Sequence, residues 1–440
     1  MRLTTSILPT LSLLLLQTTR AIDLDIDSFP SIKEAAAQVA KDLAGEFWDP
    51  TSYSGVPNGV GQYAWWQHGA ILGAYVDYWH LTGDDTYNSN VTVGWLKGVS
   101  PSLDLLPKEH AFDIGNDDQG FWSIMSMDAV ERVFPETDEQ KKMGAGFLEI
   151  THYADAAEMS YKWMRESNLI QDDYWINDGL DVNECTKLTT KRWTYNYGTI
   201  MAGCAAMYNF TTGSKRAYWK QELDNILNST YATFIDAETG ALKEIQCQES
   251  KTCDMDQRSF KAYLVRWMGY TAQVAPYTYD TIMMHLRKNA ALAAATCIGE
   301  PHGTACGQKW NIGAQWDGYH GLGEQINAME VIQNIIPYVR PNIGLIFNSN
   351  NGGTSRSNPG GKGNKKTMRN WRLILAAEYA KYALRNYEIK AADRFGGAVL
   401  TLLTLGLLAG MVVFVVSEPD VEEKSEEKSE ERPRPRSVVE

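Results

Sequence analysis

The stretch NDDQGFWSIMSMDAVERVFP, residues 116–135, decides the reading of this chain. Asn116 is a cap-type residue, and Asp117 and Asp118 fall in the first turn after it, where a helix dipole favours negative charge. Pro135 stops the segment. Between these signals FWSIMSMDAVERVF is largely apolar, which suits a helix inside the molecule rather than on its surface. Working outward, further helical segments are predicted at Ser31–Leu43, Tyr63–Leu81, Tyr153–Glu166, Tyr195–Phe210, Ser214–Thr233, Arg258–Tyr270, Tyr279–Ala295 and Leu322–Ile336. Strand-like alternation is scarce. Two of the segments, around 75–87 and 203–218, share a Thr-Gly stop and a polar restart, as antiparallel helix pairs with short loops require. Apolar helices alternate with more charged ones, which suggests an inner and an outer ring. The expected fold is all-α, built from helical hairpins.

The adjacent carboxyls have two readings. Gly-Asn-Asp-Asp is an ordinary helix start. At the mouth of an interior helix, however, the same carboxyls face a cavity, with Phe121 and Trp122 beside them. Glycoside hydrolysis commonly uses two carboxyl groups, one to attack or to steer water and one to protonate the leaving oxygen. Successive side chains on a helix diverge by about 100°, so both line one pocket only near the helix end. Adjacent residues reach the separation of about 5–5.5 Å used by retaining enzymes more readily than the longer one of inverting enzymes.

Composition narrows the classes. The chain has 440 residues with 44% hydrophobic and 22% charged, enough for a sizeable core. A formal net charge of −13 argues against nucleic acid as a partner. The 14 Trp and 22 Tyr serve packing, and also offer flat faces with polar handles to sugar rings. There is no Gly-rich phosphate loop, no nucleophile elbow, no CxxC pair and no His-rich cluster, so no cofactor is expected and no ligand spacing demands a metal.

The two ends read as membrane-directed. Residues 1–21 have the charge, apolar run and small residues of a secretory leader, with the mature chain starting near Ile22. Residues 396–416 are 21 residues without a charge, long enough to span a bilayer as a type I anchor. The charged tail 417–440 is expected to be disordered and counts against the alternative of a GPI-attachment signal. The globular part is expected over 22–389, with a flexible loop at 348–366. An even set of six cysteines fits an oxidising compartment. Their spacing suggests Cys247 with Cys253 and Cys297 with Cys306, leaving Cys185 with Cys204. Asn90, Asn209 and Asn228 stand in glycosylation triplets.

Several stretches carry a family resemblance: residues 63–88, 116–135, 194–219, 260–268, 315–333 and 352–361, of which the Asn-Asp-Asp-Gln setting is the most specific. On these the chain resembles fungal members of glycoside hydrolase family 76, the endo-α-1,6-mannanase-like group. The resemblance implies an (α/α)6 barrel, a retaining mechanism on α-1,6-mannosidic bonds, Asp117 as nucleophile and Asp118 as acid/base. It implies an α-mannan or GPI-glycan substrate, with wall glucan as an acceptor in transfer. Asn116, Gln119 and Trp122 then line the site. Trp65 and Trp66 are candidates for sugar stacking or for packing. Asn196 and Tyr197 are candidates for hydroxyl contacts or capping, Lys261 and Arg266 for the pocket wall or for solvent, and Trp316 and Asp317 for sugar contacts. A helical glycosidase acting on another polymer, and a non-catalytic wall-glycan-binding protein, are the competing readings.

Overall fold

The computed structural model describes residues 21–47, 63–100, 105–107, 114–132, 134–135, 151–181, 183–184 and 186–341. The leader up to residue 20, Cys185, the linker 348–366, the apolar segment 396–416 and the tail 417–440 lie outside them. Among the described residues no helix is long and apolar enough to cross a membrane.

Eleven helices follow one another among the described residues: α1 (Phe29–Phe47), α2 (Trp65–Thr82), α3 (Asn88–Gly98), α4 (Asn116–Glu131), α5 (Thr151–Glu166), α6 (Thr194–Phe210), α7 (Gly213–Phe234), α8 (Phe260–Val274), α9 (Tyr279–Ala295), α10 (Leu322–Gln333) and the single turn α11 (Ile336–Val339). A two-stranded antiparallel hairpin, β1 (Gly179–Leu180) and β2 (Leu188–Thr189), stands between α5 and α6.

The helices fall into two kinds. α2 and α10 are buried along nearly their whole circumference, and α8 nearly so. α1 instead buries one stripe, Ile32, Ala35, Ala36, Val39, Ala40 and Leu43, the spacing of a helix with one wet face. The inner helices pack in the order α4–α2–α10–α8–α6, while α1, α7 and α9 cover them from outside. Alternation of an inner with an outer helix along the chain is therefore present.

Local signals explain the joins. Gly83 ends α2 in the left-handed conformation (φ 70°), its N–H donating to the Trp79 carbonyl at 2.8 Å. Gly213 (φ 60°) opens α7 directly after Thr211 closes α6 onto the Met207 carbonyl. Gly198 lets α6 and α8 touch: a Cβ there would lie 2.8 Å from the Leu264 Cα. Disulfides join Cys247 to Cys253 and Cys297 to Cys306. Cys185, the expected partner of Cys204, lies outside the described residues; Cys204 is buried on α6, its burial pushing the thiol pKa up. α3 was not anticipated. Its sequence NSNVTVGWLKG holds two Gly, two Val and a Thr, all poor in a helix interior, and it is kept helical by burial of Val91 and Trp95.

Candidate active site

The site begins with what holds α4 in rotation. Trp122 is fully buried, stacked on Trp65 at 4.9 Å between ring centroids, and its indole N–H donates to the Trp65 carbonyl at 3.0 Å. Trp65 in turn donates to the Gly98 carbonyl at 2.8 Å. Gly69 and Gly98 press on the Trp122 ring, so closely that a Cβ at Gly98 would sit 1.8 Å from it. One residue earlier Phe121 packs between Trp66 (4.6 Å) and Tyr263 (4.8 Å). These contacts bolt α4 to α2 and α8 and leave its first turn projecting.

That first turn carries Asn116 and Asp117, both exposed, and Asp118 and Gln119, both half-buried. The Gly115 N–H donates to Asp118 Oδ2 at 2.7 Å, which fixes this carboxyl against the helix start. Asp117 Oδ1 lies beside Gly115, 2.4 Å from where a Cβ would be, so a side chain at this position would displace the Asp117 carboxylate.

Other elements bring more carboxyls to the same mouth. Tyr195, in the first turn of α6, has its phenol pKa pushed up by burial, then by Asp178, Asp117 and Asp256. Asn196 donates to Asp178 Oδ1 at 3.2 Å. Asp256, just before the turn Gln257–Ser259 that leads into α8, has its carboxyl raised to about 6 by burial, then by Asp254 and Asp118. Asp117, Asp178 and Asp256 thus gather near Tyr195 from α4, from the segment before β1 and from the loop before α8, with Asp118 acting on Asp256. Sequence reasoning did not single out Asp178, Tyr195 or Asp256. Only the proximity of Tyr195 to Asn196 in TYNYG offered a signal. Among the described residues no group of His, Cys, Asp and Glu is arranged to hold a metal ion.

Other expected site residues are placed differently. Lys261 is completely buried; its Nζ donates to the Gln308 carbonyl and lies 3.8 Å from the centre of the Trp310 ring, and burial lowers its pKa to about 7. It holds the 300s loop and does not line a cleft. Arg266 is also buried, bound to Glu330 (2.6 Å), Asp77 (3.3 Å) and the Ala70 carbonyl (2.8 Å). Its charge is spent inside the core. Tyr197 is buried and accepts the Ile176 N–H at 3.1 Å, so it supports the segment carrying Asp178 rather than meeting a ligand. Trp65 and Trp122 are packing residues, and Trp66 is nearly sealed. Trp316 and Asp317 are half-buried. They satisfy their own loop: Trp316 donates to the Tyr319 carbonyl at 2.6 Å, and Asp317 accepts the Lys309 and Tyr319 N–H groups. Asn90 and Asn228 are exposed, Asn209 half-buried.

The chain matches one family model over residues 31–143 and 145–342, glycosyl hydrolase family 76. The chain belongs to glycosyl hydrolase family 76. It is therefore a glycoside hydrolase. It is 33% identical over 393 residues to the mannan endo-1,6-alpha-mannosidase DCW1 of Saccharomyces cerevisiae, covering 77% of this chain and 85% of that protein. To the mannan endo-1,6-alpha-mannosidase DFG5 of the same yeast it is 30% identical over 456 residues, covering 90% and 95%. The crystal structure of Dfg5 from Chaetomium thermophilum in complex with glucosamine superposes with a TM-score of 0.65 at 28% identity, over 74% of this chain and 94% of that one. This family-76 fold agrees with the helical architecture described above.

Proposed function

We propose that the protein is a retaining endo-α-1,6-mannosidase or transglycosidase that works on α-1,6-mannan or on the mannose of a GPI glycan in fungal wall assembly. The observation that carries the reading is the adjacent pair Asp117–Asp118 on the locked first turn of α4, in a chain 33% identical over 393 residues to a named mannan endo-1,6-alpha-mannosidase. Asp117, the more open carboxylate, attacks the anomeric carbon, and the C–O bond to the leaving sugar breaks. Asp118 gives its proton to the leaving oxygen. It then takes a proton from water, for hydrolysis, or from a sugar hydroxyl such as that of wall glucan, for transfer, as that oxygen displaces Asp117 from the anomeric carbon. Asp256 and Asp178 set the negative field in which this proton is held. The clustering of like charge favours a protonated form within the group at mildly acid pH. Asn116 and Gln119 flank the pair on the same turn and are the nearest amides for sugar hydroxyls.

The inner helices are proposed to close as an (α/α)6 barrel around this mouth. The leader 1–21 and the apolar segment 396–416 are proposed to deliver the enzyme to the secretory pathway and hold it at a membrane, with the catalytic part on the luminal or extracellular side. Proton NMR of the first products from α-1,6-mannohexaose tests the reaction. Release of the α anomer first supports retention. Release of the β anomer would mean inversion, and no cleavage of this substrate or of a GPI-core glycan would remove the substrate assignment.

A further inference from the structure

Trp175 is a large apolar side chain held out into solvent, 41% exposed. The tight turn that carries it is pinned on every side. The Gln171 N–H donates to the Trp175 carbonyl at 2.9 Å, and the Trp175 N–H donates to Asp173 Oδ1 at 3.1 Å. The preceding Tyr174 is in the left-handed region (φ 64°). Its carbonyl accepts the Ser229 hydroxyl at 2.8 Å and its own hydroxyl donates to Glu222 at 3.1 Å. Left-handed backbone at an aromatic residue is a cost, sustained here by those contacts. An exposed indole on a rigid turn is presented, not merely left over.

Arg192 lies over that indole, its guanidinium carbon 3.6 Å from the ring centre. Its Nε is buried without a hydrogen-bond partner among the described residues. Stacking orients the guanidinium plane and leaves its donors to be used by something else. Lys187 and Lys191, both exposed on the same stretch 187–192, add positive charge beside a mouth that is otherwise acidic.

The position relative to the acids is set by the chain. Trp175 is three residues before Asp178, an extended reach of about 10 Å. Ile176 between them is tied to Tyr197, and Asp178 to Asn196. Arg192 is three residues before Tyr195. Both members of the pair are thus anchored to the first turn of α6, on the rim of the carboxyl cluster.

We propose that Trp175 and Arg192 form an outer glycan subsite, taking a hexose ring of an extended oligosaccharide on the indole while Arg192 donates to its hydroxyls. This rests on the mannan reading above in naming the polymer. It adds that the enzyme grips its substrate away from the cleaved bond, and so reads chain length.

The test compares Trp175→Ala, Arg192→Gln and Arg192→Lys with wild type on α-1,6-mannotriose and α-1,6-mannohexaose, using the full chain. Trp175→Ala is expected to lower kcat/KM on the hexaose about tenfold, through KM, and to leave the triose unchanged. Arg192→Gln is expected to lower it less, with Arg192→Lys between. Equal kinetics of wild type and Trp175→Ala on the hexaose would overturn the subsite, as would an equal loss on both lengths. If wild type leaves mannan oligosaccharides intact, the mannan reading fails by itself. The subsite is then tested by affinity electrophoresis in gels cast with yeast mannan, β-1,3-glucan or chitosan. Retardation of wild type that Trp175→Ala loses supports it. Equal retardation of both proteins, or none in any gel, overturns it.

Discussion

Two clusters of charge in this molecule use the same residue types to opposite ends. In the core, Asp77, Asp128 and Glu330 are each matched by a guanidinium: Arg132 with Asp77 at 2.6 Å and Asp128 at 2.9 Å, Arg266 with Glu330 at 2.6 Å. At the mouth of α4, Asp117, Asp178 and Asp256 come together with Tyr195 and Asn196, and Asp118 adds its charge beside Asp256. The core cluster joins α2, α4, α8 and α10. Burial pushes the Asp77 carboxyl up, while Arg132 and Arg266 oppose that push. At the mouth the carboxyls act on one another: Asp254 and Asp118 add to burial in pushing the Asp256 carboxyl up. On the proposed reading, the paired core carboxyls build the scaffold and the carboxyls at the mouth do the chemistry.

The comparison breaks if the two clusters respond alike to mutation. Asp117→Asn and Asp118→Asn are each expected to cut turnover of an α-1,6-mannoside by about 10³-fold or more, with an unchanged unfolding midpoint. Calorimetry alongside the rate assay checks both halves. In the core the pattern reverses. Arg266→Met leaves Glu330 buried without its guanidinium and Asp77 with Arg132 alone, and is expected to cost about 3–5 kcal/mol of stability in denaturant unfolding. A loss of activity without loss of stability at Arg266 would place it in the reaction instead.

Titration sharpens the contrast. Glu244 is fully buried and accepts from the Thr194 N–H and hydroxyl at the start of α6, and burial raises it to about 8. A carboxyl raised on folding stabilises the fold while protonated. Its contribution is whole below the unfolded pKa of about 4.3 and is lost as pH rises through about 8. Glu244→Gln is therefore expected to flatten the fall of the unfolding midpoint between pH 5 and pH 9. Asp256, raised to about 6, gives a smaller effect of the same sign, complete by about pH 7, because it is less deeply buried. Asp256→Asn should remove it and also shift the alkaline limb of the rate profile, since a negative neighbour of Asp118 is gone. Unchanged pH profiles in both variants would contradict these environments.

How much of this was legible beforehand follows from range. α1, α2 and α4–α10 are written in local period and stop signals, and the Asp-Asp pair is contiguous. What escaped is what is assembled across the chain. Lys261 and Arg266 look like pocket residues in a single sequence, because buried charge is rare. The partners that internalise Arg266 are Glu330, 64 residues on, and Asp77 on α2. Asp178 and Asp256 sit in loops whose local composition reads as solvated turn, and only the packing of α4, α6 and α8 turns them toward Tyr195. α3 contradicts its own propensity and is helical because Trp95 and Val91 have a core to enter.

The central claim is that Asp117 forms the bond to the sugar. A fluorinated α-1,6-mannobiosyl fluoride, which forms the glycosyl-enzyme faster than it is released, is the direct probe. After incubation and digestion, mass spectrometry should find the mannobiosyl mass on the peptide carrying Asp117, with none in Asp117→Asn. A label on Asp118, Asp178 or Asp256 instead, or turnover of the parent substrate with no label at all, would contradict the account.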